Sequence, residues 1–219
     1  MSDVPIVARS LLLRDLSNLG IAPGQVVMLH ASVKAIGWVV GGPDVVLQAI
    51  LETLTSTGTL MMLASWEDNP YDLQRWPEAR RRAYEEKCPA YDPATSRADH
   101  REMSILAEYL RTWPGAQRSA HPFCYVAVGA RAQCLTADHP LQYGNGPGSP
   151  MAKLCELGGK VLLLGPLFRN LTILRHAEHL ANVPSKRLDH CRMPVLCDGR
   201  RVWVEIEEYD TTLGIRVNL

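Results

Sequence analysis

The stretch Val26-Val-Met-Leu-His-Ala-Ser-Val-Lys-Ala-Ile-Gly37, continued by Trp38-Val-Val-Gly-Gly-Pro-Asp44, decides how this chain is read. The turn signal Ala22-Pro23-Gly24 precedes it, and the short β-branched run at 26–29 then suits a buried strand better than a helix. The run stops in polar atoms, since His30, Ser32 and Lys34 follow at once. Gly41-Gly42 lets the backbone approach whatever occupies the strand end, and Asp44 opens a helix predicted to run to about Thr55. In open α/β sheets ligands bind at such strand ends. The plainer reading is an ordinary strand–loop–helix connection.

Outward from this stretch the apolar periods alternate between helix and strand. Residues 7–19 are apolar at helical spacing and end at Gly20, and Leu60-Met-Met-Leu63 after Gly58-Thr59 reads as a second buried strand. A helix between two strands implies a crossover and parallel neighbours. Residues 67–93 interrupt the rhythm with a polar turn, a charged helix at 78–87 and Tyr91-Asp-Pro93; this is an inserted helical lid over the strand ends. Its arginine run is spaced for surface ion pairs with Glu85 and Glu86, with phosphate binding as the alternative. Further on, the pattern predicts a helix at 103–112, a strand at 125–129, a glycine-rich loop at 144–150 before a helix at 151–157, a strand at 161–164 and a helix at 172–182. A β-hairpin at 193–196 and 201–207 turns at Asp198-Gly199. The expectation is a single three-layer α/β domain over residues 1–219, with a buried mixed central sheet, the lid and the C-terminal hairpin.

With 23 Lys plus Arg against 23 Asp plus Glu in 219 residues, the chain has no net charge, and so no global attraction to nucleic acid or membrane. No apolar run approaches the roughly 18 residues of a membrane helix, and the N-terminus lacks a basic start and apolar core, so a cytosolic protein is expected. The six cysteines contain no C-x-x-C pair, which favours buried free thiols over disulfides or a metal site; a nucleophilic cysteine is the alternative.

Leu29-His-Ala-Ser-Val-Lys-Ala-Ile-Gly37 with Gly41-Gly-Pro43, then Arg118-Ser-Ala-His-Pro122 and Gly158-Gly-Lys-Val-Leu-Leu-Leu-Gly165, occur in an order that resembles the aminoglycoside 3-N-acetyltransferases. These belong to the antibiotic N-acetyltransferase family, unrelated to the GNAT acetyltransferases, and the resemblance spans residues 10–210. It implies acetyl-CoA-dependent N-acetylation at the 3-N position of a deoxystreptamine aminoglycoside, removing a charge that the drug needs to bind ribosomal RNA. No metal is implied. Acetyl transfer to an amine needs a grip on coenzyme A, a base for the amine proton and donors for the oxyanion. By resemblance the loop with His30, Ala31, Ser32, Val33, Lys34 and Gly37, together with Ser119, lies along the coenzyme A arm. For the residues alone, Lys34 is also readable as solvated and His30 as a loop histidine satisfied by backbone.

An aminoglycoside carries several ammonium groups, which when desolvated demand carboxylates. Glu67, Asp68 and Asp72 cluster after the second strand, Trp66 and Tyr71 offer flat surfaces for sugar rings, and Asp210 follows the hairpin. Glu205 and Glu207 share one hairpin face with Trp203 and Tyr209, either as an acidic wall or as solubilising charge.

Two departures from the family stand out. Members carry Thr-x-Leu-His-x-Ala-Glu, whose histidine is taken as the base, whereas this chain reads Thr172-Ile-Leu-Arg-His-Ala-Glu178 and puts Arg175 there. Arginine cannot act as a base near neutral pH. His176, one residue on, is rotated by about 100° and faces elsewhere unless the helix is locally rewound. The second departure is that the family continues for some tens of residues beyond Tyr209-Asp210, while this sequence ends at Leu219. The alternatives to the enzyme reading are a relic that binds coenzyme A or aminoglycoside without turnover, and an acyltransferase for another amine.

Overall fold

The computed structural model describes residues 4–165, 171–182 and 186–209. In chain order the elements are β1 (Ile6–Val7), α1 (Arg9–Asn18), β2 (Val26–Ala31), α2 (Val33–Ile36), β3 (Trp38–Val39), α3 (Pro43–Leu54) and β4 (Thr59–Leu63). A 3-10 turn (Leu73–Arg75), α4 (Glu78–Lys87), α5 (His100–Met103) and α6 (Ile105–Arg111) follow. The remainder is β5 (Gln117–Arg118), β6 (Tyr125–Gly129), α7 (Ala132–Thr136), α8 (Pro150–Glu156), β7 (Lys160–Leu164), α9 (Ile173–Leu180), β8 (Leu188–Cys197) and β9 (Arg200–Tyr209).

The central sheet has five strands in the order β5-β6-β4-β2-β7. β2 runs parallel to both β4 and β7, and β6 is antiparallel to β4 and β5, so the sheet is mixed. Strand side chains alternate between two cores, as a period of two requires. Val27, Leu29, Leu60, Met62 and Val126 pack with Leu16 of α1, Leu47, Ile50 and Leu54 of α3, and Leu106 and Leu110 of α6. Val26, Met28, Met61, Tyr125 and Ala127 pack on the other face with Leu135 of α7 and Met151 and Leu154 of α8. The layers are therefore helices, sheet, helices.

Two local details position the site. β2 extends through His30 and Ala31 instead of stopping at Leu29, because Leu164 of β7 pairs as far as Ala31 and its carbonyl then accepts the Ser32 N–H at 2.8 Å. Ser32 next caps the single turn α2, its Oγ accepting the Ala35 N–H at 3.4 Å. The predicted helix at 103–112 is divided, since Ser104 takes φ +88° and starts a new helix whose Leu106 N–H it accepts. That break turns residues 99–104 toward the strand ends.

β8 and β9 form a ten-residue antiparallel pair that turns at Asp198-Gly199, where φ is +49° and +72°, the positive values a two-residue hairpin turn needs. Arg118 ties together the segments on either side of residues 67–93: its guanidinium donates to the carbonyls of Ala64 at 2.9 Å, Pro93 at 3.4 Å and Ser96, and its Nε lies 3.1 Å from Cys124 Sγ. No helix among the described residues is long and apolar enough to cross a membrane.

Candidate active site

A cleft of about 1250 Å³ opens over the C-terminal ends of β2 and β4. It exceeds the roughly 300–1,000 Å³ typical of a small-ligand pocket. Its floor is the stretch on which the sequence reading turned: His30, Ala31, Ser32, Val33 and Lys34 all line it. The insertion supplies Glu67, Asn69, Tyr71, Asp72 and Arg75, and residues 99–104 supply a further wall. Arg175 enters from α9, and Asp189 and Glu208 from the hairpin.

The predicted residues divide into those the fold brings to the cleft and those it uses elsewhere. Gly37 caps α2 with φ +119°, and a side chain there would meet the Pro5 carbonyl at 2.6 Å; it lies off the cleft wall. Ser119 is fully buried, its Oγ accepting the Tyr125 N–H at 3.0 Å and bonding His139 Nδ1 at 3.0 Å. Trp66 offers no ring to a ligand, being 4 % exposed with its ring 6.0 Å from that of Tyr91. Asp68 lies outside the cleft lining beside Tyr84, whose hydroxyl donates to the Asp68 carbonyl at 2.9 Å, and burial raises the pKa of its carboxyl. Asp210 lies outside the described residues.

The acidic residues on the wall are partly engaged. Asp72 pairs with Arg75 at 3.2 Å, and Glu67 lies 3.7 Å from His100 Nδ1; both pairs are solvated and weak. The Tyr71 hydroxyl donates to Asp189 at 3.3 Å, joining insertion to hairpin, and its ring meets Phe123 edge-on at 5.8 Å. Burial first, and then the Asp189 charge, push the Tyr71 pKa up to about 12. Glu208 is 6 % exposed and accepts the Asn145 N–H at 2.9 Å, with His179 Nε2 at 3.4 Å.

Helix rotation sends the neighbours Arg175 and His176 in different directions. Arg175 is exposed on the cleft, whereas His176 is buried and donates from Nδ1 to the Asn145 carbonyl at 2.8 Å. His30 is half-buried at the floor; burial lowers its pKa, and its Nε2 has no hydrogen-bond partner among the described residues.

Sequence reasoning missed Asn145, Asp189 and Glu208. Glu208 carried a signal: it falls in the phase of Val202, Val204 and Ile206, and a carboxylate in an apolar phase asks for a partner or a site. The opposite face, Glu205 and Glu207, is spent locally, with Glu205 on His190 at 3.0 Å and Glu207 accepting from Gln142 at 2.8 Å. Nothing local marks Asn145 or Asp189. Among the described residues no group of three or more His, Cys, Asp or Glu is arranged to hold a metal ion.

The cleft can therefore accommodate a long ligand. Lys34, Arg75 and Arg101 offer charge to phosphate, and the carboxylates offer charge to ammonium groups. His30, Ala31, Ser32, Val33 and Lys34 line the floor in succession, with Lys34 as a cation for a diphosphate, so the residues present fit a coenzyme A arm.

A family model described as aminoglycoside 3-N-acetyltransferase matches residues 28–216. Over 194 residues the chain is 53 % identical to the aminoglycoside N(3)-acetyltransferase III of Pseudomonas aeruginosa, covering 88 % of this chain and 71 % of that one. Among solved structures it superposes on the aminoglycoside acetyltransferase AAC(3)-Xa with a TM-score of 0.90 at 44 % identity, over 95 % of this chain and 74 % of that one. It also matches AAC-IIIb in a binary complex with CoASH, with a TM-score of 0.87 at 43 % identity, over 98 % and 80 %.

Proposed function

We propose, because this chain belongs to the aminoglycoside 3-N-acetyltransferase family, that it transfers the acetyl group of acetyl-CoA to the 3-N amine of a deoxystreptamine aminoglycoside. The observation that carries this reading is the span of the family match, residues 28–216, which includes every element that lines the cleft. Acetyl-CoA, as co-substrate, supplies an activated thioester.

In this reading His30, Ala31, Ser32, Val33 and Lys34 lie along the coenzyme A arm. Gly37 and Ser119 support that floor from behind, which their packing against Pro5 and their bonds to Tyr125 and His139 favour. Glu67 and Asp72, with Asp189 and Glu208 from the hairpin, receive the ammonium groups, and Tyr71 stacks on a sugar ring. Residues 67–93 act as the lid, held at their far end by the bond from Arg118 to the Pro93 carbonyl at 3.4 Å. Trp66 and Asp68 contribute through packing and surface charge.

Arg175 is a cation beside the substrate amine and takes no proton. His176 positions the loop at Asn145 through its Nδ1–H. A second reading, binding without turnover, is favoured by the guanidinium at the base position.

The test is thiol release by the purified chain with acetyl-CoA and a panel of aminoglycosides, beside Arg175→His. Slow turnover that Arg175→His accelerates is the expected result. Tight binding of both ligands without turnover supports the second reading. Absence of binding and turnover with every aminoglycoside, while another amine is acetylated, overturns the substrate.

A further inference from the structure

Beside the cleft lies a second, smaller pocket of about 410 Å³. The two spaces adjoin, since Glu67, His100 and Ile105 border both. Lys34 and Arg101 line the cleft, and Arg97 lines the annex. All three side chains are exposed, and their charged ends have no ion pair or hydrogen bond among the described residues. Their neighbours are spent: Arg75 is paired with Asp72, and Arg111 holds Glu108 at 2.7 Å.

The carboxylates on the same wall do little to cancel these cations. Glu108 also accepts the Ala98 N–H at 2.8 Å, and Asp99 accepts the backbone N–H groups of Arg101 at 2.9 Å and Glu102 at 3.3 Å. Glu67 lies 3.7 Å from His100, which leaves the Glu102 carboxylate against three unpaired cations.

Packing places these cations on one side of the cleft. Val33, next to Lys34, and Met103, two residues after Arg101, both pack against the core shared by α1, α3 and α6. Ile173, two residues before Arg175, packs in the opposite core with α7 and α8. Asp189 and Glu208 come from the hairpin, each two residues from a member of a separate cluster, Cys191 and Ile206. The cleft is thus basic toward α3 and α6 and acidic toward the hairpin. A ligand with one anionic end and a polycationic ligand would meet from these two sides.

Coenzyme A carries two anionic groups, a diphosphate and a 3′-phosphate, with a ribose between them. Lys34 beside the floor meets the first, and arginine side chains suit the second because the guanidinium fork matches a phosphate. We propose that Arg97 and Arg101 hold the 3′-phosphate of coenzyme A where the annex joins the cleft, so that the chain selects the phosphorylated nucleotide; the proposal rests on the acetyl-transfer reading above.

The test is calorimetric titration of the native chain with coenzyme A and with 3′-dephospho-coenzyme A, which differ only in that phosphate. Coenzyme A should bind roughly tenfold more tightly, and the gap should narrow at high salt because both arginines are exposed. In the doubly substituted Arg97→Gln, Arg101→Gln chain the two ligands should bind alike, at the native affinity for the dephospho form, with the KM for aminoglycoside within about twofold. Equal affinity of the native chain for both ligands overturns the proposal, and this readout needs no variant. A preference that survives the double substitution also overturns it, as does a variant that binds both ligands unchanged but aminoglycoside more tightly, since the wall then faces the antibiotic. A native chain that binds neither form of coenzyme A refutes the acetyl-transfer reading itself, and the subsite falls with it.

Discussion

At the scale of single residues, the cleft is governed by which polar atoms the fold leaves available. His176 and Arg175 are neighbours in sequence, yet one is buried and the other faces the cleft, because a helix turns by about 100° per residue. Tyr71 and Asp189 are 118 residues apart and meet at 3.3 Å, so one hydrogen bond joins the two outer walls of the cleft. Tyr71→Phe removes it without changing the ring. Since the Tyr71–Asp189 bond is partly solvated, the expected loss is about 0.5–1 kcal/mol of stability. The freed Asp189 should also lower the KM for a polycationic substrate. Urea melts and initial rates of the variant check both; an unchanged KM would place the antibiotic elsewhere on the wall.

At the scale of elements, α3 is the buttress of the strand on which the cleft floor rests. Pro43 fits its first turn, where the missing N–H costs nothing, and Asp44 sits favourably at the positive end of the helix. Val46, Leu47, Ala49, Ile50 and Leu54 are all buried, and such side chains are each worth about 1.5–3 kcal/mol on burial, alanine excepted. Ile50→Ala should therefore cost about 2–5 kcal/mol, read as a lower urea midpoint at unchanged slope. A loss below about 0.5 kcal/mol would mean that the helix packs differently. The Arg118–Pro122 motif also belongs to this scale, as a brace: Arg118 ties Ala64 to Ser96, while Ser119 and His121 are buried behind it.

At the scale of the whole molecule, acid should unfold this protein through its interior histidines. His139 is buried between Ser119 and the Gly144 carbonyl, and burial lowers its pKa from 6.5 to about 4. His121, stacked on it, is held well below 6.5 by burial and by that neighbour. Both rings are neutral when folded and take up protons on unfolding below pH 6.5, so the unfolded state gains protons first and stability falls as the pH falls. For His139 alone, a pKa moved from 6.5 to about 4 corresponds to on the order of 3 kcal/mol. This stability is fully present above pH 6.5 and lost progressively toward pH 4. Urea midpoints at pH 7.5 and pH 5 measure it, and equal midpoints would refute the buried-neutral arrangement.

The sequence by itself determined the α/β alternation and placed strands at 26–29, 60–63, 125–129 and 161–164, each within two residues of its observed bounds, because apolar periods of 2 and 3.6 residues are local properties of the chain. Its ordered motifs also carried the family. Strand ends were blurred, as at His30, since pairing with β7 and not local preference sets where β2 stops. Only the tertiary structure decided the make-up of the cleft. Glu208 reaches it while Glu205 and Glu207 turn to other partners, Trp66 is drawn into the core, and His30 keeps a nitrogen unpaired. Each of these outcomes depends on segments tens of residues apart arriving at one place, and the side-chain pattern of any one segment does not record what the others bring.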